Sequence, residues 1–581
     1  MVNKKIQQFN NSAIQPRATN SASRITTHAR NALALLTGFF TAPIEPPSPG
    51  LYTYHITPEG GHIRLHLRIE ADGSGVLFRD VTDVIHLNPT AAEMAKLALD
   101  GIPLPQAQAG LRARYHDPGS INTETANLYE LVESLKDPTG CATCAVINPK
   151  DQPATQHASR NTLYTDNLSS ALFSQKPLFS TRIHAPYKVD LALTYGCNNE
   201  CPHCYNEPDR YHLPSMPKED WFKVIDQLHT MGVPHLILTG GEATLHPDLP
   251  AIIRYADQLG HIVGLNTNGR KIAHAPYMQT LADAGLNHVQ ITLGSCHPGV
   301  HDAMMGAKSF DQTVRGIRNA LNSSVHVITN TTLMRANMGH VEDIIHFLHD
   351  LGIRTFAMNG MIYSGGGFEN PMAIPEHEMP ALLIRVRDTA EELGMRFLWY
   401  TPTEYCRMSP VELEIGAKRC NAGEYSMCIE PNGDVLPCQS YYVAAGNMLR
   451  DPWEKIWNSA LFVSFRDREL APQRGGLPEK CWECPDLPLC GGGCRIEREA
   501  RDGHRIAEDG GSTGGGCAGC SGACGTRSHA SQPSFAPTAG FIPVEGLTSN
   551  VRRGQGQMPA LIPIADIGEY PQPINTEVHR V

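Results

Sequence analysis

The stretch of sequence that decides the fold runs from Val189 to Tyr205 and reads Val-Asp-Leu-Ala-Leu-Thr-Tyr-Gly-Cys-Asn-Asn-Glu-Cys-Pro-His-Cys-Tyr. Four of its first six residues are apolar, and this short run predicts a buried strand. Three cysteines follow in the spacing CxxxCxxC, which fits one tight loop around a metal centre. A 4Fe–4S cluster held by only three thiolates keeps one iron open, and an open metal position is what a catalytic site needs.

The three cysteines are Cys197, Cys201 and Cys204. Zinc is the competing metal for this spacing, and His203 could supply its fourth ligand. The loop comes directly after a predicted strand, however, and chemistry in repeated βα folds sits at the carboxyl ends of the strands. The placement therefore favours a catalytic iron–sulfur cluster.

A strand–helix alternation continues from this stretch to about residue 402. Repeated βα units imply parallel strands joined by right-handed crossovers, so we expect an α/β fold with a partial (β/α)6 barrel. The predicted strands are Val189–Thr194, His235–Leu238, His261–Leu265, His288–Thr292, Val325–Asn330 and Arg354–Met358.

Short polar and glycine motifs stand at the ends of these predicted strands, and with CxxxCxxC they resemble the radical SAM superfamily. The resemblance implies that the open iron chelates S-adenosylmethionine, and that one electron from the cluster releases a 5′-deoxyadenosyl radical. It also implies the contacts to S-adenosylmethionine. These are Tyr205 near the adenine, Gly240, Gly241 and Glu242 at the methionine amino group, Asn266 at the third strand end, Thr292 or Ser295 toward the ribose, and Asn330 at the fifth strand end.

A second group of cysteines fills the C-terminal part, where eleven of the seventeen lie between Cys406 and Cys524. The order Cys420, Gly433 to Cys438, Cys481-x2-Cys484-x5-Cys490-x3-Cys494 and Cys517 resembles the SPASM extension. The resemblance implies two auxiliary 4Fe–4S clusters, hence three clusters in all. By resemblance, the first is held by Cys420, Cys428, Cys438 and Cys494, and the second by Cys481, Cys484, Cys490 and Cys517. Because eight thiolates ligate two cubanes fully, we expect these clusters to move electrons rather than bind substrate directly.

The roles of several cysteines stay open. Cys520 and Cys524 are alternatives to Cys517 as the last ligand, and zinc ribbons are the competing interpretation of paired CxxC units. The pair Cys141 and Cys144 is a redox couple, a metal half-site or part of an ordinary surface loop. The single Cys296 and Cys406 are expected to be small buried residues rather than ligands.

A compact module is predicted ahead of the barrel. Alternating residues between Leu51 and Leu87 predict a small sheet, and Asn88-Pro89-Thr90-Ala91-Ala92 predicts a helix start with Thr90 as its cap. Two more helical patterns follow. This arrangement resembles the PqqD peptide-chaperone domain of pyrroloquinoline quinone biosynthesis, also called the RiPP recognition element. The resemblance implies a winged-helix-like domain that binds a leader peptide at a sheet edge, with a simple packing domain as the alternative.

The chain is therefore expected to divide into six segments. A basic, disordered N-terminal tail and a polar linker flank the PqqD-like domain, and a Pro-rich tail follows the SPASM domain. The boundaries are 1–48 for the tail, 49–145 for the PqqD-like domain, 146–185 for the linker, 186–402 for the radical SAM barrel, 403–528 for the SPASM domain and 529–581 for the C-terminal tail.

Composition narrows the class of partner. The 581 residues are 41% hydrophobic and 18% charged, an ordinary globular balance, and the formal charge of −11 gives no reason to expect nucleic acid or an anionic membrane. No apolar run reaches membrane-spanning length. Closely spaced cysteines in so long a chain favour a reducing cytoplasm, with an organelle transit peptide as the alternative for the basic N-terminus.

The expected function is that of a radical SAM oxidoreductase that modifies a ribosomally made peptide through a crosslink, a thioether or a related oxidation. A flavodoxin- or ferredoxin-type protein is the expected reductant. One alternative is a sulfatase-maturase-like oxidation of a Cys or Ser, but the acidic base that this family carries after the position of Cys438 is here Gln439. The other is a non-catalytic peptide chaperone or electron carrier, which the intact CxxxCxxC motif disfavours. The sequence identifies no general base.

Overall fold

The computed structural model describes residues 45–57, 63–79, 83–115, 118–136 and 183–501. The predictions for the C-terminal tail, for residues 1–44 and for most of the linker lie outside these ranges. Five cysteines discussed above do so as well: Cys141, Cys144, Cys517, Cys520 and Cys524. Within the described ranges, no helix is long and apolar enough to cross a membrane.

The N-terminal module is an antiparallel sheet of four strands followed by three helices. The strands pair in sequence order, so the first and the fourth form the two edges. They are β1 Gly50–Ile56, β2 Ile63–Ile69, β3 Gly75–Arg79 and β4 Asp83–Leu87, and the helices are α1 Pro89–Leu99, α2 Leu104–Arg112 and α3 Pro118–Leu135. Apolar residues from one face of the sheet and from the helices form a core of their own.

The N-cap of helix α1 lies two residues before its predicted position. The N-cap is Asn88, whose Oδ1 accepts a hydrogen bond from the backbone N–H of Ala91 at 2.8 Å. Thr90 lies inside the first turn, so the prediction of Thr90 as the cap was wrong. The reason is that Pro89 at the first helical position needs no hydrogen bond and leaves the preceding asparagine to cap the helix.

The second and larger unit is built on seven parallel strands with helices between them. The strands are β5 Lys188–Thr194, β6 His235–Gly240, β7 Ile262–Thr267, β8 His288–Thr292, β9 His326–Thr332, β10 Thr355–Asn359 and β11 Arg396–Trp399. The helices are α4 Lys218–Thr230, α5 Leu249–Gln258, α6 Ala275–Asp283, α7 Pro298–Met305, α8 Phe310–Leu321, α9 Val341–Leu351 and α10 Met379–Glu392. Strands of a parallel sheet that helices cover on both faces have nearly continuous apolar sequences, which is why six of them could be predicted.

The sheet has more strands than predicted, and it stays open. The four-residue strand β11 pairs in parallel with β10 at one edge. At the other edge β12 Ser426–Ile429 pairs in parallel with β5, and β13 Asp434–Leu436 and β14 Gly446–Asn447 extend the sheet. The C-terminal region is thus joined to the barrel by a continuous hydrogen-bonded sheet.

Short helices complete the C-terminal region. They are α11 Trp453–Trp457, α12 Ala460–Arg466, α13 Leu487–Cys490 and α14 Arg495–Arg501. None is longer than seven residues, so packing and buried polar contacts rather than long helices hold this region in place.

One face of β2 is covered by the barrel. Arg64, His66 and Arg68 alternate with the apolar residues of the module core, and all three are buried. His66 Nε2 lies 2.7 Å from the carbonyl oxygen of Gly260, and Arg68 donates to the carbonyl oxygen of Ala185 at 2.8 Å. These carbonyls come just before β7 and β5, so the module docks at the amino ends of the barrel strands.

Candidate active site

The loop after β5 brings the three cysteines of the CxxxCxxC motif together at the carboxyl edge of the sheet. Cys197 is the most exposed, while Cys201 and Cys204 are half-buried. The backbone N–H of Asn199 donates to Cys197 Sγ at 3.4 Å, and the Tyr211 hydroxyl lies 3.8 Å from Cys204 Sγ. Polar donors therefore already point at two of the three sulfurs.

Two turns from distant parts of the chain hold this loop. Gly306 ends α7 in the left-handed region at φ 60°, and Glu200 N–H donates to the carbonyl oxygen of Met305 at 3.1 Å. The turn after β10 packs from the other side, where Gly366 N–H donates to the carbonyl oxygen of Cys204 at 2.7 Å. A Cβ on Gly365 would stand 2.7 Å from the same oxygen, so only glycine allows this contact.

The donor set fits an iron–sulfur cluster. Burial, with Cys204 and Cys197 nearby, raises the pKa of Cys201 to about 12. Three thiolates this close repel one another, and a bound cation is what makes them stable together. Cys197, Cys201 and Cys204 are thus the residues that would hold the cluster.

His203, the alternative zinc ligand, lies in the same loop. Its Nδ1 is buried and has no hydrogen-bond partner among the described residues, and burial lowers its pKa to about 4. A neutral imidazole is a competent zinc ligand.

The Gly240-Gly241 pair fits against the start of the cysteine loop so closely that no side chain can replace either hydrogen. A Cβ on Gly240, at φ 130°, would stand 2.1 Å from the carbonyl oxygen of Thr194. A Cβ on Gly241 would stand 2.4 Å from the carbonyl oxygen of Tyr195. Gly241 N–H also donates to Thr194 O at 2.7 Å. The glycines thus fix the height of the loop above the sheet.

Glu242 ties the ends of β6 and β7 together. Its Oε1 accepts hydrogen bonds from the Thr244 N–H at 3.1 Å, from the Thr244 hydroxyl at 2.6 Å and from the Thr267 hydroxyl at 2.7 Å. Its Oε2 accepts one from the Asn268 N–H at 2.7 Å. The carboxylate is 1% exposed and is positioned by the protein before any ligand arrives.

The other predicted contacts to S-adenosylmethionine lie along the same edge. Asn266 and Thr292 are half-buried at the ends of β7 and β8. Ser295 is fully buried, and its Oγ accepts from the His297 N–H at 3.1 Å, so Thr292 is the more accessible hydroxyl. Asn330 donates to Asn359 Oδ1 at 2.9 Å.

Of two polar groups at this edge, the amide oxygen of Asn330 is open for a ligand, whereas the Tyr205 hydroxyl is hydrogen-bonded to Thr239. Within the described ranges, the buried Oδ1 of Asn330 has no hydrogen-bond partner. Tyr205 is half-buried next to Cys204, and burial raises the pKa of its hydroxyl. Both stand where the resemblance implies contacts to S-adenosylmethionine.

Sequence reasoning missed two parts of this site. One is the turn Ser364–Gly367, where Glu207 Oε1 accepts from the Ser364 hydroxyl at 3.0 Å and from Gly365 N–H at 2.7 Å. Its signal was available, because three consecutive glycines follow a predicted strand. The other is an apolar wall beside Cys201, which no local pattern marks: Met304, Met305, Met334 and Met361.

The first auxiliary set comes together in part. Cys420, Cys438 and Cys494 lie in one apolar cluster. Burial, with Cys420 nearby, raises the pKa of Cys438 to about 12, and the Ser440 N–H donates to its Sγ at 3.4 Å. Cys428 is fully buried on β12 and packs in a different apolar cluster, and its burial, with Cys438 among the nearby groups, raises the pKa of its thiol. Three of the four predicted thiols therefore share one cluster, and the fourth lies near Cys438.

The second auxiliary set, without Cys517, lies in one irregular segment. Cys484 N–H donates to the carbonyl oxygen of Cys481 at 3.3 Å, so these two share a tight turn. Cys490 is buried at the end of α13, and the Tyr405 N–H donates to its Sγ at 3.3 Å. Backbone donors to sulfur are typical of thiolates that hold an iron–sulfur cluster.

Comparison with known protein families matches two segments. The Radical SAM superfamily matches residues 191–348, and SPASM, an iron–sulfur cluster-binding domain, matches residues 420–485. The two segments contain the CxxxCxxC loop and most of the auxiliary cysteines.

Curated relatives match a longer part of the chain than either segment. A PqqA peptide cyclase from Xanthomonas oryzae pv. oryzae (strain MAFF 311018) is 30% identical over 337 residues, which is 56% of this chain and 87% of the relative. A PqqA peptide cyclase from Streptomyces rochei is 28% identical over 340 residues, 56% of this chain and 89% of the relative.

Among solved structures, Streptococcus suis SuiB has the same fold over most of its length. Its TM-score is 0.52 at 16% identity, and the match covers 74% of this chain and 95% of SuiB. By its 30% identity to a curated relative, the chain belongs to the radical SAM superfamily, in the family of the PqqA peptide cyclases, and it carries a C-terminal SPASM iron–sulfur domain.

Proposed function

We propose that this protein reductively cleaves S-adenosylmethionine and uses the resulting radical to modify a ribosomally made peptide, by a crosslink, a thioether or a related oxidation. The observation that carries the proposal is the meeting of Cys197, Cys201 and Cys204 with the Gly240-Gly241-Glu242 motif at one sheet edge. Family membership supports the same reading.

Each part of this edge has a defined task. The three cysteines would hold a 4Fe–4S cluster, which would supply the electron that breaks a sulfur–carbon bond of S-adenosylmethionine. Gly240 and Gly241 let the cysteine loop pack directly on the end of β6, and Glu242 holds the surrounding turn. Thr292 and Asn330 offer hydrogen-bonding groups to the ribose side. The methionine wall beside Cys201 keeps water away from the reacting carbon.

The proposed substrate is a peptide whose leader binds the N-terminal module. Along the outer edge of β1 runs a cavity of about 510 Å³, lined by Thr53–Thr57, Leu99 and Lys136. An extended peptide can add to such an edge through backbone hydrogen bonds. The names of the curated relatives describe them as peptide cyclases, and SuiB has been solved with its precursor peptide SuiA.

The position of the module constrains this peptide. The module docks at the amino ends of the barrel strands, whereas the cysteine loop lies at their carboxyl ends. A six-residue strand such as β6 is about 20 Å long. The segment between leader and modified residue must therefore span at least about six extended residues.

The auxiliary cysteines are proposed to hold two further 4Fe–4S clusters that carry an electron away after the bond forms. A flavodoxin or ferredoxin in a reducing cytoplasm would return electrons to the first cluster. The amide of Gln439 beside Cys438 cannot act as a base, which disfavours the sulfatase-maturase alternative.

The proposal is tested first by the products of S-adenosylmethionine. Anaerobically reconstituted protein with dithionite is expected to form 5′-deoxyadenosine, and Cys201→Ala is expected to lower the rate by at least about a thousandfold. Cys296→Ala removes a cysteine outside every predicted set and should keep the full rate. Zinc in place of iron, or undiminished cleavage by Cys201→Ala, would falsify the proposal.

The peptide is tested separately. The enzyme is co-expressed with short peptides encoded beside its gene, and mass spectrometry should show a mass decrease of two hydrogens for a crosslink or thioether. Deleting residues 49–145 should abolish the modification while 5′-deoxyadenosine formation continues. Modification that survives this deletion contradicts leader binding by the module.

A further inference from the structure

We propose that Cys406 is a ligand of the second auxiliary cluster, together with Cys481, Cys484 and Cys490, in the place that the SPASM resemblance assigns to Cys517. This inference rests on the proposed function, because it takes an iron–sulfur cluster at these cysteines as given. It also reverses the expectation that Cys406 is a buried, non-ligating residue, since its thiol is exposed.

The turn that carries Cys406 is folded onto the loop that carries Cys490. Tyr405 N–H donates to Cys490 Sγ at 3.3 Å, and the Cys490 thiol donates to the carbonyl oxygen of Thr403 at 3.6 Å. Gly493 permits this contact, because a Cβ there would stand 2.8 Å from the backbone nitrogen of Glu404. The three residues that precede Cys406 thus hold its turn against the loop that carries Cys490.

The same turn faces the loop that carries Cys481. Lys480 Nζ lies 3.6 Å from Cys406 Sγ and 3.8 Å from a carboxylate oxygen of Glu404. Lys480 is the residue before Cys481, so the Cys406 sulfur lies beside the loop that carries Cys481 as well as the loop that carries Cys490.

The chemistry of this pocket favours a bound cluster over a free thiol. The Lys480 ammonium beside Cys406 Sγ would offset part of the negative charge that four cysteine ligands bring to one cluster. The Cys481, Cys484 and Cys490 thiolates leave one iron of a cubane without a protein ligand, and Cys406 completes the set within the described residues.

Ligation by Cys406 would join the second cluster to the barrel. Cys406 follows β11, the last parallel strand, whereas Cys481 and Cys490 belong to the C-terminal region. The cluster would then crosslink these two parts of the chain, and Cys517 would be free for another role.

Alkylation of the wild-type protein tests the proposal without any variant. The exposed Cys406 should react rapidly with iodoacetamide in protein stripped of iron, and at least about tenfold more slowly in the reconstituted holoenzyme, as measured by peptide mass spectrometry. Cys296 serves as the control and should react at the same rate in both. Equal rates for Cys406 in the two forms overturn the proposal.

Two variants then separate Cys406 from Cys517. Reconstituted Cys406→Ala should fall from about twelve irons per chain to about eight and lose one auxiliary electron paramagnetic resonance signal, whereas Cys517→Ala should keep both. The proposal is overturned if the irons and the signal are lost in Cys517→Ala alone, in both variants or in neither variant. If the wild-type protein binds no iron, the proposed function itself is contradicted. This outcome differs from every outcome that concerns Cys406 alone.

Discussion

The loop around Cys197 and the region around Cys420 both hold groups of cysteines, but different contacts keep the two in place. The first follows a parallel strand, and its height is set by backbone contacts such as Gly241 N–H to Thr194 O. The second lies among short helices and irregular turns, where buried arginines satisfy the loop carbonyls. Arg468 donates to the carbonyl oxygen of Cys420 at 2.5 Å and to that of Phe465 at 2.7 Å.

The same device recurs through the C-terminal region. Arg419 donates to the carbonyl oxygen of Pro488 at 2.7 Å, and Arg498 donates to that of Gly492. Glu424 pairs with both Arg419 and Arg468 and offsets part of their buried charge. A guanidinium offers five donors in a fixed plane, so it can replace the hydrogen-bonded ladder that irregular loops lack. The first cysteine site is thus held by backbone contacts at the end of a sheet, and the second by hydrogen bonds from buried arginine side chains.

Arg468→Met is expected to give the largest effect, because it removes the cation that joins Glu424 to the Cys420 loop. The methionine keeps the packing of the side-chain stem, yet the free energy of opening residues 420–494 should fall by about 3 kcal/mol, measured by hydrogen exchange. Auxiliary iron should fall with it, while 5′-deoxyadenosine formation persists.

The matched control for that variant is Arg450→Met. Arg450 pairs with Asp434 at the surface, and 73% of its side chain is exposed. Its replacement by methionine should change the free energy of opening residues 420–494 by less than about 1 kcal/mol. Similar effects for the two variants would remove the contrast between the two cysteine regions.

Gly240→Ala tests the backbone contacts of the first region. The added Cβ would stand 2.1 Å from Thr194 O at a φ that alanine disfavours, and neither backbone can yield cheaply. We expect a loss of about 2 kcal/mol in thermal unfolding and a fall of about a hundredfold in 5′-deoxyadenosine formation. Gly299→Ala has no atom within 4 Å of its new Cβ and should leave both unchanged.

Glu242→Gln is expected to give the smallest effect. The glutamine amide presents one oxygen in place of two, so one of the donors from Thr244, Thr267 or Asn268 loses its partner, at a cost of about 1–2 kcal/mol. Affinity for S-adenosylmethionine, measured by equilibrium dialysis, should fall as the turn loosens. Glu219→Gln, at the exposed start of α4, should change neither the stability nor the affinity for S-adenosylmethionine. If the two variants behave alike, Glu242 does not organise the turn.

Much of the barrel could be predicted because its information is local. The six predicted strands are apolar runs, and the motifs that follow them are only a few residues long. The strand β11 escaped prediction because Arg396–Trp399 is too short to show a period. The cap of α1 was misplaced because a proline next to the asparagine altered which residue was free to cap.

Contacts between distant segments could not be predicted from local sequence patterns. No local pattern places the Gly365 turn on Cys204 or brings the turn of Cys406 to Cys490. Likewise, the alternation in β2 predicts a strand but not that the barrel covers Arg64, His66 and Arg68.

By itself, the sequence determined the order of strands and the two cysteine spacings, since these depend on neighbours a few residues apart. Only the tertiary structure decided which cysteines share a pocket and which end of the barrel the module covers. The physical reason is that such contacts are fixed by the packing of the whole chain, where a buried donor or thiol takes the partner that the fold brings to it.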